Sequence, residues 1–493
     1  MKIRKLICIL LIVCHGILIF AACGAENAAP VDTTAAPAET AEVTEAAETI
    51  PPPDLPKADY EGYEFNIVTR VPSGTDPWGS GEMAVEELNG EVLNDSIAER
   101  NRRVEEDYNI RIVQTSSENA AETAKKTIMA GDNVYDLFVA DLFNMKKIAE
   151  ENLAVDLNTL SNLNFKNPWW DHSSVRDLSI GKKQYFVTGD FSFRSYNASW
   201  IYCFNKQMIE DFALDNPYEL VRTNKWTIDK FSEMIAGISA DVNGDGVMDQ
   251  YDRYGLITER SNTLGMFFGA GNLVISKDSE NYPIITINTE RGAATLEKLL
   301  DFMNNTNVRV SETDKFISTQ PDVWKGLADI FTDDRGLFYS IVMYTVKKLR
   351  NMDTDFGLLP MPKYDEQQQE YYTWTSPWMA SGLIIPITAD TERASIIAEY
   401  LCYVSMSTVR PAYYEANIEG KFARDTESEE MLDVILANRV YDLGMLYNWG
   451  GVGYLINDMT KDQKTDFVSR WEKISTKAQG ELEKTIEAFK DME

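Results

Sequence analysis

Apolar and polar residues alternate over Tyr63, Phe65 and Ile67, the two-residue period of a strand. Over residues 94–107 the period lengthens. Leu93, Ile97, Val104 and Tyr108 then share one face of a predicted helix. Ile110, Ile112 and Val113 predict a second strand, and residues 120–130 a second helix. Residues 134–140 form a largely apolar run, the pattern of a strand buried on both faces of a parallel sheet. Strands alternating with helices in this way predict an α/β fold. The C-terminal part reads as mostly helical. Thr426 with Glu429 makes a capping box ahead of Met431, Leu432, Ile435 and Leu436. Residues 462–489 then place Phe467, Trp471, Ile474, Ala478, Leu482, Ile486 and Phe489 at three- and four-residue steps.

The first 23 residues have another pattern. Lys2, Arg4 and Lys5 precede an apolar run over residues 6–20, and Ala21-Ala22-Cys23 follows it. This is the layout of an export signal. It resembles a bacterial lipoprotein signal, with residues 1–22 removed and Cys23 lipidated as the first residue of the mature chain. Phe20 stands where such signals usually carry Leu. The alternatives are an ordinary cleaved signal or an uncleaved anchor, for which the run falls short of the ~20 residues a membrane span needs. Residues 24–54 carry no Lys, Arg or aromatic residue and end in Pro51-Pro52-Pro53. Such a composition cannot offset chain entropy by burial, so residues 23–58 read as a disordered acidic tether.

More than 400 residues remain from Tyr60 onward, too many for one core, so two lobes are expected. Without the signal the chain carries 44 basic and 78 acidic residues, a net charge of −34. That argues against nucleic acid or an anionic lipid surface as partner, leaving the lipid anchor as the membrane contact. His172 is the one histidine beyond the signal, and a surface or capping role suits its setting better than catalysis. Cys203 and Cys402 sit in apolar surroundings and read as small core residues. No G-x-S-x-G, H-E-x-x-H or P-loop occurs.

Residues 241–252 carry the sharpest chemical motif. Asp241, Asn243 and Asp245 present oxygens at loop positions 1, 3 and 5, and Gly246 permits the turn at position 6. Val247 offers its carbonyl, Asp249 binds directly or through water, and Asp252 closes the loop at position 12. Hard oxygen donors at this spacing suit a structural Ca²⁺. An EF-hand carries Glu at position 12, so the shorter Asp252 weakens the site. The competing reading is a metal-free turn rich in Asx residues.

Several stretches, in order, resemble the extracellular solute-binding proteins of ABC importers, in the large family related to maltose-binding protein. They are Asp95-Ser-Ile-Ala-Glu-Arg-Asn-Arg-Arg-Val-Glu-Glu-Asp-Tyr-Asn-Ile110, Tyr135-Asp-Leu-Phe-Val-Ala-Asp141, Glu151-Asn-Leu-Ala-Val-Asp-Leu157 and Trp200-Ile-Tyr-Cys-Phe-Asn-Lys206. Gly336-Leu-Phe-Tyr-Ser340 and Phe356-Gly-Leu-Leu-Pro-Met-Pro362 follow. Tyr441-Asp-Leu-Gly444 and Tyr447-Asn-Trp-Gly-Gly451 resemble such lipoproteins in anaerobic Gram-positive bacteria. The resemblance implies a type II periplasmic-binding-protein-like fold with two discontinuous lobes, a hinge and a helical C-terminus. Lobe 1 would comprise 59–192 plus 373–412, and lobe 2 would comprise 193–372 plus 413–493 with the calcium loop. The chain would cross near 191–197 and return near Tyr372.

By the same resemblance the protein is a monomer and not an enzyme. It would sit by its lipid on the extracellular face of the membrane, bind a mono- or oligosaccharide between the lobes and serve ABC permease subunits. Asp141 falls where relatives place a hydroxyl-binding carboxylate, and Tyr344 where one has a stacking aromatic. Sugar rings stack on aromatic faces, which adds Tyr196, Trp200, Trp374, Trp378 and Trp449 as candidates, each of which core packing would explain as well. The alternatives are a secreted carbohydrate-active enzyme, a same-fold binder of peptides or other solutes, and a sensory lipoprotein.

Overall fold

The computed structural model describes residues 50–71, 82–85, 87–349, 351–418 and 426–492. The signal, Cys23 and the tether as far as residue 49 lie outside the described residues, as does the side chain of Thr426.

The alternation at Tyr63 becomes β1 (Tyr63–Arg70), with Phe65 and Ile67 fully buried. The helix Val92–Tyr108 buries Ile97, Val104 and Tyr108, as their spacing requires, and stops where Asn109 takes a left-handed φ of 48°. β2 (Ile110–Ser117), the helix Ala120–Met129 and β3 (Leu137–Asp141) follow. The third strand begins later than the apolar run predicts, because Val134 is exposed in the connection before it. β1 lies between β2 and β3 and runs parallel to both. β12 (Ser381–Ile384) completes this first sheet, antiparallel beside β3, in the order β12-β3-β1-β2. The helix Thr391–Ser407 packs back onto Val92–Tyr108 and buries Cys402 in this lobe.

The second sheet has the order β10-β4-β9-β5-β8. Its members are β4 (Trp200–Asn205), β5 (Tyr254–Thr258), β8 (Arg309–Ser311), β9 (Gly336–Val342) and β10 (Phe356–Leu359). β5 runs parallel to β8 and β9, while β4 runs against both of its neighbours. All six residues of β4 are buried, Cys203 among them, as befits a strand covered on both faces. β6 (Ile275–Lys277) and β7 (Pro283–Ile285) make a hairpin beside this sheet, and β11 (Thr373–Trp374) pairs with β13 (Arg439–Val440). The C-terminal helices Leu455–Asp462 and Phe467–Asp491 pack on the second lobe through the helices Ser261–Gly269 and Glu290–Met303. Phe467, Ala478, Leu482 and Phe489 of the expected stripe are buried.

The stretch Trp200–Lys206 reads from its resemblance as a lobe-crossing strand. In the structure β4 belongs wholly to the second sheet, and the crossing is made just before it through the short helix Arg194–Asn197. Three segments lie side by side there. Ser199 bridges Thr375, the Ser376 amide donates to Ala198 (3.0 Å), and the Thr375 amide donates to Val440 (3.0 Å). Short extended segments bonded in this way form a hinge between two sheets that share no strand.

Candidate functional site

In open α/β sheets, ligands bind beyond the carboxyl ends of parallel strands. In the first lobe those ends are Arg70, Ser117 and Asp141, with Ser381 opening β12 opposite Asp141. In the second they are Thr258, Ser311 and Val342, with Trp200 opening β4 opposite Val342. The two edges define the candidate cleft.

On the first edge, Asp141 caps the helix Leu142–Glu150 by accepting from the Asn144 amide (3.0 Å), and it also accepts from the Asn144 side chain. Arg70 stands 3.5 Å away. Burial pushes the Asp141 carboxyl up, against the pull of these donors. The carboxylate is thus held rigidly at 4 % exposure by its own lobe. On the second edge, Glu312 accepts from the Arg260 amide (3.2 Å). Glu259, one residue past β5, is pushed up to about 7 by burial and by the neighbouring Glu312 charge. Glu259, Glu312 and Arg70 escape a sequence reading because nothing local marks them. Only the strand ends that carry them do.

A row of six rings joins the edges. Phe143 stands 5.4 Å from Trp378 between centroids, and Trp378 lies stacked 6.0 Å from Tyr454 and edge-on 6.5 Å from Trp374. Trp374 stacks on Trp200 at 5.0 Å and on Phe268 at 6.0 Å. The candidates therefore divide. Trp200 and Trp374 are 7 % and 1 % exposed, and Trp200 spends its indole N–H on Ser340 Oγ (2.9 Å). They form the floor. Trp378, Tyr454 and Phe143 are half-buried, so part of each ring is open to solvent. Tyr344, past the end of β9, is also half-buried, with Lys347 Nζ 4.1 Å from its ring centre.

Two candidates lie elsewhere. Trp449 stacks on Tyr447 at 4.9 Å and donates to Thr485 Oγ1 (2.9 Å), so it belongs to the packing of the helix Phe467–Asp491. Its Tyr-Asn-Trp-Gly-Gly setting reads as a loop, but the left-handed φ of Asn448 turns the ring inward. Tyr196 lies at the hinge, where it donates to Asp190 and faces the Arg439 guanidinium at 4.8 Å. These residues, with Asp171, His172 and Arg410, line a polar cavity of about 230 Å³. Arg410 pairs with Asp190 (2.5 Å) and Arg439 with Asp171 (2.9 Å). His172 itself is exposed, its Nε2 3.1 Å from the Asn167 carbonyl.

The loop 241–252 is a run of turns whose Asx side chains cap its own backbone amides. Asp241 accepts from the Gly244 and Gly246 amides (2.6 and 2.7 Å), and Gly244 and Gly246 take φ of 76° and 83°. Asp245 accepts from Val247, Asn243 from Asp245, and Asp249 from Tyr251. Asp252, fully buried, accepts from Val242 and Asp249. The donor set of carboxylates, an amide oxygen and a carbonyl fits a hard cation. Among the described residues, no three carboxylate, imidazole or thiolate groups converge closely enough to hold one.

No family model and no curated protein matches the chain. Solved structures do. An ABC substrate-binding protein of Listeria monocytogenes in complex with cycloalternan is similar at a TM-score of 0.53 and 12 % identity, over 86 % of this chain and 99 % of that one. A cyclo/maltodextrin-binding protein complexed with maltotetraose gives 0.53 and 12 %, over 87 % and 98 %. The maltose-binding periplasmic protein MalE of Listeria monocytogenes, in complex with maltose, gives 0.52 and 12 %, over 86 % and 97 %. The chain has the two-lobed α/β fold of these binding proteins.

Proposed function

We propose that this chain is a lipid-anchored, extracellular solute-binding protein that captures a carbohydrate between its lobes and passes it to an ABC importer. The observation that carries the reading is the half-buried group Phe143, Trp378 and Tyr454, set between two strand edges that carry Asp141, Arg70, Glu259 and Glu312. Aromatic faces pack against the C–H surfaces of sugars, and fixed carboxylates and a guanidinium orient hydroxyls. The similar structures were solved with maltose, maltotetraose and cycloalternan, which makes α-glucans the first ligands to test. Contacts from both lobes favour the closed state by their differential affinity, so closure reports occupancy to a partner. Among the described residues no helix is long and apolar enough to cross a membrane; the lipoprotein-like Ala21-Ala22-Cys23 is what supports attachment through Cys23.

Isothermal titration of the full chain with maltose, maltotetraose and cyclic glucans tests the binding reading. Saturable binding without sugar release supports it. Hydrolysis of the oligosaccharides would turn the reading to an enzyme, and silence with every glucan would turn it to another solute. Fatty-acid labelling of the wild type, lost in Cys23→Ser, tests the anchor. We further propose that loop 241–252 takes a structural Ca²⁺ held by Asp241, Asn243, Asp245, Asp249, Asp252 and the Val247 carbonyl. The ion would pin the entry to β5 and perform no chemistry.

A further inference from the structure

Three lysines reach across from one lobe to the other, and each ends on carbonyl oxygens at the C-terminus of a helix. Lys146, on the first-lobe helix Leu142–Glu150, donates to the Leu446 carbonyl in the last turn of the helix Leu443–Tyr447. Lys183, in the first-lobe segment that leads to the bridge between Val187 and Leu383, donates to the Phe489 carbonyl (3.0 Å) and to that of Met492, at the end of the helix Phe467–Asp491. In the opposite sense, Lys277 on β6 of the second lobe donates to the carbonyls of Arg176 and Ser179 (both 2.6 Å), at the end of the first-lobe helix His172–Leu178.

The last carbonyls of a helix have no partner within it and carry the negative end of its dipole, so an ammonium there is held by charge as well as by hydrogen bonds. Among the described residues none of the three lysines forms a direct ion pair with a carboxylate, although Glu150 lies near Lys146 and Asp177 near Lys277, so the hydrogen-bonded partners of their ammonium groups are the helix-end carbonyls, with Ser179 Oγ beside Lys277. Lys146 is only 8 % exposed, with its ammonium 4.2 Å from the Phe143 ring centre and 5.7 Å from that of Tyr447. It therefore has no water-facing alternative in this arrangement. The contacts lie on separate elements and do not share a carbonyl. Each depends on the relative position of the lobes, because donor and acceptor belong to different sheets and their helices.

We propose that Lys146, Lys183 and Lys277 form a three-point latch, in which cross-lobe capping of helix ends holds the two lobes in the present arrangement before any solute binds. The inference rests on the two-lobed fold and not on the identity of the ligand. A solute then needs to supply less of the closing free energy, and loss of Lys183 or Lys277 releases the lobes without touching the cleft rings, whereas Lys146 also lies against Phe143.

Hydrogen exchange of the ligand-free full chain, read by mass spectrometry, tests the proposal. In Lys146→Met, segment 443–449 of the other lobe should exchange on the order of tenfold faster; in Lys183→Met segment 485–492 should do so, and in Lys277→Met segment 174–181. The strands of both sheets should keep wild-type rates. Lys→Arg at each site keeps the charge and should restore much of the protection. Faster exchange confined to the mutated residue's own lobe would overturn the latch, as would wild-type rates across the interface in all three variants. If a Met variant exchanges everywhere at once, it has lost its fold, and the other two single variants and the Arg series then decide.

Discussion

Replacing Glu399 by alanine removes the acceptor on which the Trp169-Trp170 pair depends. Glu399 is fully buried, and its two oxygens accept from Asn167 Nδ2 (2.6 Å), Trp169 Nε1 (3.1 Å), Trp170 Nε1 (2.7 Å) and the Asn164 amide (3.1 Å). Asn164 and Asn167 lie nearer the surface and can turn to water. The indoles are 2 % and 3 % exposed and cannot. A buried donor left unsatisfied costs about 1–3 kcal/mol, so two of them cost roughly 2–6 kcal/mol. Against this stands the relief of removing a carboxyl that burial already pushes up. The expected net loss for Glu399→Ala is about 3 kcal/mol, and for Glu399→Gln, which keeps one acceptor oxygen, roughly half that. Urea unfolding followed by far-ultraviolet circular dichroism measures both. A loss below about 1 kcal/mol for the alanine variant, or a glutamine variant less stable than it, would refute the assignment of the cost to orphaned indoles.

Asp190 gives a pH test with an unusual sign. Burial pushes it up to about 6, against the pull of Arg410 and Tyr196, so between pH 4 and 6 the folded chain binds a proton the unfolded chain has lost. Its contribution therefore favours folding at low pH and fades as pH rises through 6, by up to about 3 kcal/mol, and the difference in urea midpoint between wild type and Asp190→Asn should follow that course. At 10 mM Ca²⁺, a site with a Kd of about 1 mM adds about 1.4 kcal/mol, read as an EDTA-reversible rise in melting temperature that Asp245→Ala abolishes. Trp378→Ala should weaken glucan binding about tenfold and barely move the melting temperature, since its face is half-buried. Trp200→Ala should instead cost about 3–5 kcal/mol of stability, because its ring is part of the floor.

The local periodicities make much of the fold legible. Phe65 and Ile67, or Ile97, Val104 and Tyr108, point inward because a period of two or of three to four residues admits one buried face. Val134 misleads because an apolar residue in a connection looks like the start of a strand. The candidate site is legible by halves. The loop 241–252 shows its Asx spacing in the sequence, and the structure folds it into turns capped by those side chains, while its proposed cation remains for experiment to test. The cleft has no such local mark, since its rings come from residues 143, 200, 268, 374, 378 and 454, which only the packing of both lobes brings together. Trp378 and Trp449 look alike in sequence, and what separates them is a left-handed Asn448 and a neighbouring helix. Tyr454 and Glu259 carry no local signal.

The late arrival of β12 bears on how this chain is made. Ser381 pairs with Asp141 across 240 positions, so the first sheet lacks its outer strand until every strand of the second sheet has been made. Long-range pairing of this kind is slow to form and cannot be completed by a nascent N-terminal fragment. For a chain whose opening residues read as an export signal, that delay is useful, because a translocation channel passes extended polypeptide and an early, stable first lobe would jam it. If the chain is exported as proposed, the first sheet gains its outer strand only at residues 381–384, shortly after β10 ends the second sheet at Leu359, so the two lobes complete their sheets in close succession.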